Sequence, residues 1–452
     1  MFRHIKKIHF IGIGGIGMSG IAELLHNMGF EISGSDLKRT PITDRLKGIG
    51  IDVKIGHSPE YVRGKDLVVY SSAVKDDNIE LREARALGIP CIPRAEMLGE
   101  LMRLKESIAV TGTHGKTTTT SIIATIFDKA GLDPTIIVGG KLKSLRTNAK
   151  LGEGKFLICE VDESDKLFLN MTPVLSVITS IDDDHLDNYR DIDEIKDAFL
   201  QFANRVPFYG AVFLCADDRN VREIVSGIKR RYLTYGLSED ARVRGEILNT
   251  NFESVFEVWV NGDYLGKFRL RLPGIYNVQN ALAGIAVALE VEIPVSVIRD
   301  AIDEFQGVER RFEIKGERKG VKVVDDYAHH PFEIENTLRT ARMLAQGKVI
   351  AIFQPHLYSR TLKLKDKFGE CFKYADYTII TKVYPAREKP IKGVTGKLIV
   401  DACKEKGYKN VEFIEDWDEI KKRIDEIAEP GDWLLTIGAG DIYKLSEEIL
   451  KC

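Results

Sequence analysis

One stretch decides the fold of the middle of this chain: SIAVTGTHGKTTTT, residues 107–120. The apolar run 107–110 predicts a buried strand, and the apolar periodicity over 118–130 predicts a helix. Between them, a glycine-rich turn supplies backbone N–H groups and one lysine, Lys116, at the start of the helix. A strict phosphate-binding loop would have glycine where Val110 stands, but the rest of the pattern is kept. The stretch therefore predicts a nucleotide-binding strand, loop and helix.

The roles in this loop follow from the chemistry of a bound triphosphate. Glycine amides contact phosphate oxygens, the ammonium group of Lys116 pairs with the β- and γ-phosphates, and the hydroxyl of Thr117 is a ligand for Mg²⁺. We therefore predict ATP and Mg²⁺ as the ligands of this region. The predicted ATP-binding residues of the loop are Gly112, Thr113, His114, Gly115, Lys116, Thr117 and Thr118.

Acidic segments follow two further buried strands of the same region. EVDESD, residues 160–165, follows the predicted strand 156–159, and DDDHLD, residues 182–187, follows the predicted strand 174–178. Because the carboxyl ends of parallel strands meet at one edge of a sheet, these side chains are expected to reach the phosphate-binding loop. Carboxylates there suit a metal ion, although a solvated turn explains each segment taken alone.

A second glycine loop lies near the N-terminus. Residues 12–17, GIGGIG, satisfy G-x-G-x-x-G between an apolar strand at 8–11 and a helix predicted over 17–28. In such a loop the amides at the helix N-terminus contact a pyrophosphate, and Asp36 stands where an acidic side chain meets a ribose hydroxyl. The motif does not distinguish NAD from another ligand with a diphosphate and a ribose, such as a UDP-sugar. A tight turn without a ligand is the third interpretation.

Strand and helix signals alternate along the whole chain, apart from a hairpin predicted around Asn261-Gly262-Asp263. This alternation predicts an α/β protein with mostly parallel sheets. At 452 residues the chain is longer than one hydrophobic core usually serves, so we predict two or three domains. Short joints are expected near residues 105 and 309.

The composition excludes several classes of protein. Apolar residues make up 44% and charged residues 29%, as in ordinary globular proteins rather than disordered ones. With 65 basic and 68 acidic residues the net charge is −3, so no basic field favours nucleic acid as a partner. There is no apolar stretch of the ~18 residues that span a membrane, no signal-peptide pattern, and no C-x-x-C pair among the six cysteines. We predict a cytoplasmic protein with reduced thiols and no membrane partner.

Polar motifs also follow predicted strands in the last third of the chain. DDYAHHP, residues 325–331, places His329 and His330 beside two aspartates, which suggests proton handling or substrate binding. A structural hydrogen bond explains either histidine taken singly. QPHLYSRT, residues 354–361, and the pair Arg310-Arg311 are further polar groups, and the location of the arginines at a predicted joint favours a functional role over simple solvation.

Taken together and in order, these motifs resemble those of the Mur ligase family of ATP-dependent amide-forming enzymes. The resemblance extends over nearly the whole chain. It rests on HFIGIGGIGMSGIAELL at 9–25, SGSD at 33–36, YSSAV at 70–74, GTHGKTTTT at 112–120, EVDESD at 160–165, DDDHLDNY at 182–189, PGIYNVQNALAG at 273–284, GVERRFE at 307–313, DDYAHHPFEI at 325–334 and QPHLYSRT at 354–361.

The resemblance implies three domains and a reaction. The domains are a Rossmann-like UDP-binding domain at 1–105, a central ATPase domain at 106–309 and a Rossmann-like, amino-acid-binding domain at 310–452. In the implied reaction, ATP activates the lactyl carboxylate of UDP-N-acetylmuramate as an acyl phosphate, and L-alanine then forms the amide. ADP and phosphate are released, and the product is a peptidoglycan precursor. A monomer or homodimer is expected.

The resemblance also implies roles for single residues. Glu160 resembles the family's metal-bridging glutamate, His185 resembles a ligand of a second Mg²⁺, and Asn277 and Asn280 resemble its adenine-side asparagines. The residues that resemble those closing over the reacting groups are Arg311, which we also assign to ATP, His329, His330, His356 and Arg360. Those implied to bind the UDP-sugar are Gly14, Gly15, Ile16, Gly17, Asp36, Ser71 and Ser72. The implied catalytic residues are Lys116, His185, His329, His330 and Arg360, with His329 or His330 assisting deprotonation of the amine.

The sequence departs from the family pattern in places. Tyr276 stands where histidine is usual in the motif on the adenine side. Leu357 stands where arginine is usual, so anion binding there rests on Arg360 and other groups. Leu200 occupies the position of a lysine that several relatives carbamylate, and because Lys196 is a weak substitute we predict no carbamate. Two alternatives stay open: a related ligase that attaches a murein peptide, and an NAD-dependent oxidoreductase built on the first glycine loop.

Overall fold

The computed structural model describes residues 4–140, 148–164, 166–183, 188–386 and 388–451. The chain divides into two compact units, Met1–Gln306 and Gly307–Cys452. Within the described ranges the strands form three sheets, two in the larger unit and one in the smaller.

The first sheet of the larger unit is parallel throughout. Its strands are β1 (Lys7–Ile11), β2 (Glu31–Asp36), β3 (Asp52–Ile55), β4 (Leu67–Tyr70) and β5 (Cys91–Pro93). Its helices are α1 (Ile16–Asn27), α2 (Pro41–Gly48), α3 (Ile79–Ala86) and α4 (Arg94–Met102), with a short 3-10 helix at Pro59–Val62. The strand order is β3-β2-β1-β4-β5. Because the order reverses at β1, the carboxyl end of β1 opens a crevice of the kind in which such sheets bind ligands.

The second sheet of the larger unit is mixed. Its strands are β6 (Glu106–Thr111), β7 (Thr135–Ile137), β8 (Ala149–Lys150), β9 (Phe156–Glu160), β10 (Leu175–Ile178), β11 (Ala211–Cys215), β12 (Tyr232–Gly236), β13 (Val243–Asn249), β14 (Ser254–Val260) and β15 (Asp263–Leu270). Its helices are α5 (Lys116–Lys129), α6 (Ile192–Asn204), α7 (Arg219–Ile224), α8 (Ile275–Glu290) and α9 (Val295–Glu304), with 3-10 helices at Leu167–Asn170 and Val225–Gly227. The order is β15-β14-β13-β12-β11-β10-β6-β9-β7-β8, parallel from β13 to β7 and antiparallel at both ends.

Helix α5 packs on the second sheet against β6 and β9, and it lies beside α8, which packs on β11, β12 and β13 of the same sheet. Its residues from Thr117 to Ala124 are all buried, because α8 packs closely along it. The close packing depends on Gly284, where a Cβ atom would lie 2.7 Å from a methyl group of Ile122. The helix that follows the phosphate-binding loop is therefore held on both sides and presents its N-terminus in a fixed position.

The smaller unit has one sheet with helices on both faces. Its strands are β16 (Glu313–Arg318), β17 (Val321–Asp326), β18 (Val349–Phe353), β19 (Tyr377–Ile380), β20 (Val411–Phe413) and β21 (Trp433–Ile437). Its helices are α10 (Pro331–Leu344), α11 (Tyr358–Lys363), α12 (Lys365–Cys371), α13 (Lys397–Glu405), α14 (Trp417–Ile427) and α15 (Tyr443–Lys451). The order is β16-β17-β21-β18-β19-β20, with only β16 antiparallel. Alternate residues of β18 enter the two cores: Phe353 on one face and Ile352 on the other.

The α/β class and the mostly parallel sheets predicted from the sequence are confirmed. The hairpin turn is also confirmed, since Asn261 and Gly262 have positive φ angles of 53° and 91° between β14 and β15. Helix α8 begins at Ile275, directly after Gly274, which has a φ of 98°. In the part of the chain that the structure describes, no helix combines the length and apolar character needed to cross a membrane.

Candidate active site

The phosphate-binding loop joins the end of β6 to the start of α5. Gly112 and Gly115 have φ angles of 131° and 80°, and a Cβ atom on Gly112 would lie 2.2 Å from the hydroxyl of Thr179, so glycine is required there. Gly115 is the N-cap residue of α5, and no side chain of the described residues caps that helix. Since helix N-termini carry partial positive charge and donor N–H groups, the loop is suited to an anion.

The segment after β10 holds this loop in place. Ser180 accepts hydrogen bonds from two loop amides, that of Thr113 at its carbonyl (2.9 Å) and that of His114 at its hydroxyl (2.9 Å). The amide of Asp182 donates to the hydroxyl of Thr113 (2.8 Å), and the Asp182 carboxylate lies 3.1 Å from Nε2 of His114. The second acidic segment thus reaches the loop, as the parallel strand order requires. The predicted metal ligand His185 of this segment lies outside the described residues.

Lys116 is folded back onto its own loop. Its ammonium group donates to the carbonyl oxygens of Gly112 (2.5 Å) and Thr113 (3.1 Å) and to Oε1 of Glu163 (3.0 Å). The lysine side chain is 15% exposed and that of Glu163 only 2%. The cation therefore lies inside the loop beside an acidic residue, where the phosphates of a nucleotide would compete for it.

Three carboxylates set the charge of Lys116. Desolvation lowers the pKa of Lys116, but the negative charges of Glu163, Asp162 and Glu160 outweigh it and raise the pKa above its usual value. Lys116 is consequently an ammonium ion at neutral pH, as its predicted role requires. Glu163 was not among the predicted site residues, although it stands three positions after Glu160 in the same motif.

Two of the predicted metal ligands, Thr117 and Glu160, lie near this lysine. Glu160 ends β9 in register with Val110 of β6, and its carboxylate accepts the amide of Gly139 (2.8 Å). Thr117 is in the first turn of α5. Mg²⁺ prefers carboxylate and hydroxyl oxygens, so Thr117 and Glu160 are of the chemical kind that the predicted ion needs.

The two asparagines of α8 make protein contacts. Oδ1 of Asn280 accepts the hydroxyl of Thr119 (3.0 Å) and lies where a Cβ atom on Gly115 would approach to 2.6 Å. The side-chain amide of Asn277 donates to the carbonyl of Pro273 (2.7 Å), which lies two residues before the start of α8. Asn280 therefore supports the phosphate-binding loop, and the adenine-side role of both residues stays a prediction.

Lys196 is held in surface ion pairs. Its ammonium group lies 2.8 Å from Asp193 and 2.8 Å from Glu223, and the hydrogen bonds that it donates to both carboxylates raise its pKa. A carbamate forms only on a neutral amine, so these ion pairs disfavour one, and the absence of a carbamate on Lys196 stays a prediction. Leu200 packs as a partly buried apolar residue against the core of the larger unit.

The residues predicted to bind the UDP-sugar gather at the carboxyl edge of the first sheet. Asp36, at the end of β2, accepts the amide of Gly14 (2.8 Å). The amide of Ser71, after β4, donates to the carbonyl of Ile11 (3.1 Å), which brings it beside Gly12. The remaining predicted residues lie next to these. Gly15 is the N-cap residue of α1, and Ile16 and Gly17 are in its first turn. Ser72 is exposed and follows Ser71.

Two residues that the sequence did not indicate lie beside this edge. The side-chain amide of Asn148, next to β8, donates to the carbonyl of Ile16 (2.7 Å). The guanidinium of Arg94 lies 3.7 Å from Asp162, and its NH1 lies 3.3 Å from the place of a Cβ atom on Gly17. Arg94 is thus near the first glycine loop and also near the acidic segment beside the phosphate-binding loop. Both are single polar residues outside any motif, so no sequence signal marks them.

Four of the predicted residues of the smaller unit form one cluster. The rings of His329 and His356 pack edge to face with centroids 5.8 Å apart. Nδ1 of His356 is 3.5 Å from the guanidinium of Arg360. Arg311 lies over the ring of Tyr327, 5.3 Å from its centroid, and that ring contacts His329. These groups can bind an anion and accept a proton.

Further residues of the smaller unit support the cluster. Tyr384 stacks on His356 with centroids 5.9 Å apart, and its carbonyl accepts the amide of Leu357 (3.0 Å). Leu357 has a φ of 68°, a left-handed conformation that is unusual for leucine. Glu333 accepts the amide of His329 (3.1 Å) and lies 3.9 Å from Arg311. Neither Tyr384 nor Glu333 was predicted.

Three further polar residues of these motifs make contacts within the smaller unit. His330 is 2% exposed as the N-cap residue of α10. Asp326 accepts the amides of Phe312 and Ala328 (both 2.7 Å), and burial raises its pKa to about 6. The guanidinium of Arg310 donates to the carboxylate of Asp325 on β17 (3.0 Å). It also donates to the carbonyls of Gly438 and Gly440 in the loop after β21. Of the arginine pair, Arg310 is therefore structural.

Comparison with known proteins identifies the family. The chain matches the families described as "Mur ligase family, catalytic domain" at residues 7–106, "Mur ligase middle domain" at 110–288 and "Mur ligase, glutamate ligase domain" at 310–440. It is 51% identical over 452 residues to the UDP-N-acetylmuramate–L-alanine ligase of Geotalea uraniireducens, covering 100% of this chain and 99% of that protein. It is similar to the solved UDP-N-acetylmuramate-alanine ligase of Thermotoga maritima, with a TM-score of 0.84 and 32% identity over 98% of each chain. It shares its fold with the murein peptide ligase of Psychrobacter arcticus, with a TM-score of 0.73 and 24% identity over 98% of each chain. The chain belongs to the Mur ligase family.

Proposed function

We propose that this ligase joins L-alanine to the lactyl carboxylate of UDP-N-acetylmuramate, with conversion of ATP to ADP and phosphate, as a step of peptidoglycan precursor synthesis. The observation that carries this proposal is the 51% identity, over the full length, to a relative named for that reaction. The position of Lys116 among three carboxylates at the head of α5 supports the use of ATP.

The reaction has two chemical steps. A carboxylate is a poor acylating agent, so a lactyl oxygen first attacks the γ-phosphorus of ATP, the bond to the β–γ bridging oxygen breaks, and ADP leaves. The neutral amine of L-alanine then attacks the carbonyl carbon of the acyl phosphate. The tetrahedral adduct expels inorganic phosphate, and the nitrogen loses a proton to give the amide.

The residues of the larger unit serve the first step. The amides of the loop 112–117 that Ser180 does not occupy bind the triphosphate, and Lys116 leaves the loop carbonyls to offset the charge that spreads over the transferring group. Mg²⁺, when bound by Thr117, Glu160 and His185, would neutralise further phosphate charge. The first glycine loop, 12–17, with Asp36, Ser71 and Ser72, holds the diphosphate and ribose of the UDP-sugar.

The cluster of the smaller unit serves the second step. Arg311 and Arg360 bind anionic oxygens of the substrates. We assign proton acceptance from the amine to His329 rather than His330, because the His329 side chain is 19% exposed within the cluster whereas His330 is buried under the start of α10.

The family resemblance supports three functional domains at 1–105, 106–309 and 310–452. We propose that the enzyme works in the cytoplasm as a monomer or homodimer, since UDP-N-acetylmuramate, L-alanine and ATP are small soluble metabolites. No nucleic acid or membrane takes part in this reaction.

The test is phosphate release by the purified chain with UDP-N-acetylmuramate, ATP and Mg²⁺, with L-alanine, glycine, L-serine or a murein tripeptide added one at a time. We expect L-alanine to give the highest kcat/KM and a product heavier than the UDP-sugar by one alanine residue, measured by mass spectrometry. Turnover with the tripeptide alone would indicate a peptide-attaching ligase instead. A change in NADH fluorescence on titration, without phosphate release, would refute the ligase and favour an oxidoreductase.

A further inference from the structure

A buried carboxylate in the first domain has no task in the reaction described above. Glu80, in the first turn of α3, is completely buried. Its Oε2 accepts the hydroxyl of Ser35 (2.8 Å) and lies 3.0 Å from Nε2 of His9. Its Oε1 lies 3.0 Å from Nδ1 of His57 and accepts the amide of Ser58 (3.1 Å). Each carboxylate oxygen therefore has two contacts, and they come from β1, β2 and the turn after β3.

These contacts keep Glu80 ionised. Burial raises the pKa of Glu80, but hydrogen bonds from His9, Ser35 and His57 more than offset this and lower the pKa below its usual value. A charged group without solvent is stable in a fold only when its hydrogen bonds are satisfied, and removing one of its partners is costly. The carboxylate of Glu80 therefore stabilises one relative arrangement of β1, β2 and the turn after β3.

The segments that Glu80 joins also hold the first glycine loop. The carbonyl of Ser35 accepts the amides of Gly12 (2.8 Å) and Ile13 (3.0 Å), and the next residue, Asp36, accepts the amide of Gly14 (2.8 Å). Three successive loop amides are thus fixed by two residues at the end of β2. The side chain of one of those residues is fixed by Glu80.

We propose that Glu80 is a positioning residue for the UDP-sugar site: its carboxylate fixes the end of β2, which holds the loop through the amides of residues 12–14 and so presents the N-terminus of α1 to a diphosphate. Donors that are already fixed bind an anion without a further loss of entropy, so this network contributes to affinity without touching the ligand. The identity of the ligand rests on the proposed function, whereas the coupling of Glu80 to the loop does not.

The test compares Glu80→Gln with Glu83→Gln in the full-length protein. Glutamine preserves the shape of the side chain, but it has only one acceptor oxygen, whereas the carboxylate of Glu80 has two with two contacts each. In the variant, one pair of these contacts therefore loses its acceptor. Glu83 lies on the same helix and pairs with Arg63 at the surface (3.2 Å), so its substitution controls for a change of charge in α3.

Two measurements follow from the proposal. In the ligand-free Glu80→Gln variant, hydrogen exchange at the amides of Gly12 and Ile13 should become several-fold faster. In turnover, KM for UDP-N-acetylmuramate should rise about tenfold, the effect of one lost buried hydrogen bond. We expect kcat and KM for ATP to change less than twofold, and Glu83→Gln to match the wild type in all respects.

A second variant covers the case in which Glu80→Gln fails to fold. Ser35→Ala removes the link between Glu80 and β2 while three contacts of the carboxylate remain, and it should give the same changes at about one third of the size. Unchanged exchange at residues 12 and 13 and unchanged KM in the folded variants would overturn the proposal, as would an equal rise in KM for ATP, which indicates a merely structural role. A wild type without ligase activity would refute the proposed function, while the exchange measurement would still decide the coupling.

Discussion

The two glycine loops of the larger unit share a backbone plan but differ in charge. Each follows a strand inside its sheet, contains a glycine with positive φ (Gly12 at 81° and Gly112 at 131°), and leads into a helix that, within the described residues, has no side-chain cap. The loop 112–117 contains a lysine, whereas the loop 12–17 contains no charged residue.

The acidic residues beside the two loops have different roles. In the first loop the carboxylate of Asp36 accepts a loop amide directly, so that amide is occupied by the protein. In the second loop the carboxylate of Glu163 pairs with Lys116 instead. Neutral amides are sufficient to hold a diphosphate that does not react, but a phosphoryl group in transfer needs a full positive charge. The first loop therefore suits a diphosphate that is only bound, whereas the second suits a phosphoryl group that is transferred.

The largest effect should come from removing the cation. Lys116→Ala is expected to lower kcat by about 10³-fold or more, because the charge that offsets the transferring phosphoryl group is lost. Binding of UDP-N-acetylmuramate, measured by calorimetry, should stay within twofold of the wild type. Lys129→Ala, at the exposed end of the same helix, is the control and should keep full activity. A variant without Lys116 that kept a tenth of the wild-type turnover would remove the distinction between the two loops.

One glycine substitution in each loop should show which substrate that loop binds. In Gly112→Ala the new Cβ atom would lie 2.2 Å from a hydroxyl oxygen at a φ of 131°, so KM for ATP should rise about 100-fold as loop amides shift. In Gly14→Ala it would lie 2.7 Å from the Asp36 carboxylate, a side chain that can move, so KM for the UDP-sugar should rise only about tenfold.

Each variant of this pair should leave the KM of the other substrate nearly unchanged. Gly48→Ala is the control, since a Cβ atom there meets nothing within 4 Å. Initial rates at varied ATP and varied UDP-sugar give both constants for each variant. If Gly14→Ala raised KM for ATP as much as Gly112→Ala does, the two loops would not be separate sites.

The strands and helix around the phosphate-binding loop show which features the sequence could predict. The strand before Gly112 and the helix after it were predictable to within two residues, because an apolar run, glycines and helical periodicity are local signals. The strands β7 and β8 were not, because their two or three residues become strands only through pairing with distant partners. The acids around Lys116 were predictable from the rule that parallel strands end at one edge.

The contacts that support the sites were beyond the sequence. Glu80 and His9 are 71 residues apart, and each looks like an ordinary residue of its own helix or strand. The same holds for Arg94, which lies beside Gly17 and near Asp162 although no motif contains it. Motifs show the groups that contact ligands, because their chemistry needs particular residue types, whereas the pairing of two buried polar residues depends on the whole fold.

The smallest effect should come from removing the acid that pairs with Lys116. Desolvation lowers the pKa of Lys116 and the charge of Glu163 is the largest of the effects that raise it, so Glu163→Gln should shift that pKa downward. Because kcat/KM reports groups of the free enzyme, the alkaline limb of its pH profile for ATP should move to lower pH, with less than a tenfold loss at pH 7. Glu304→Gln, which removes the surface partner of Lys129 on the same helix, should leave the profile unchanged. An alkaline limb that stayed in place in Glu163→Gln would mean that Lys116 does not depend on this acid, and the contrast in charge between the loops would then rest on Lys116 alone.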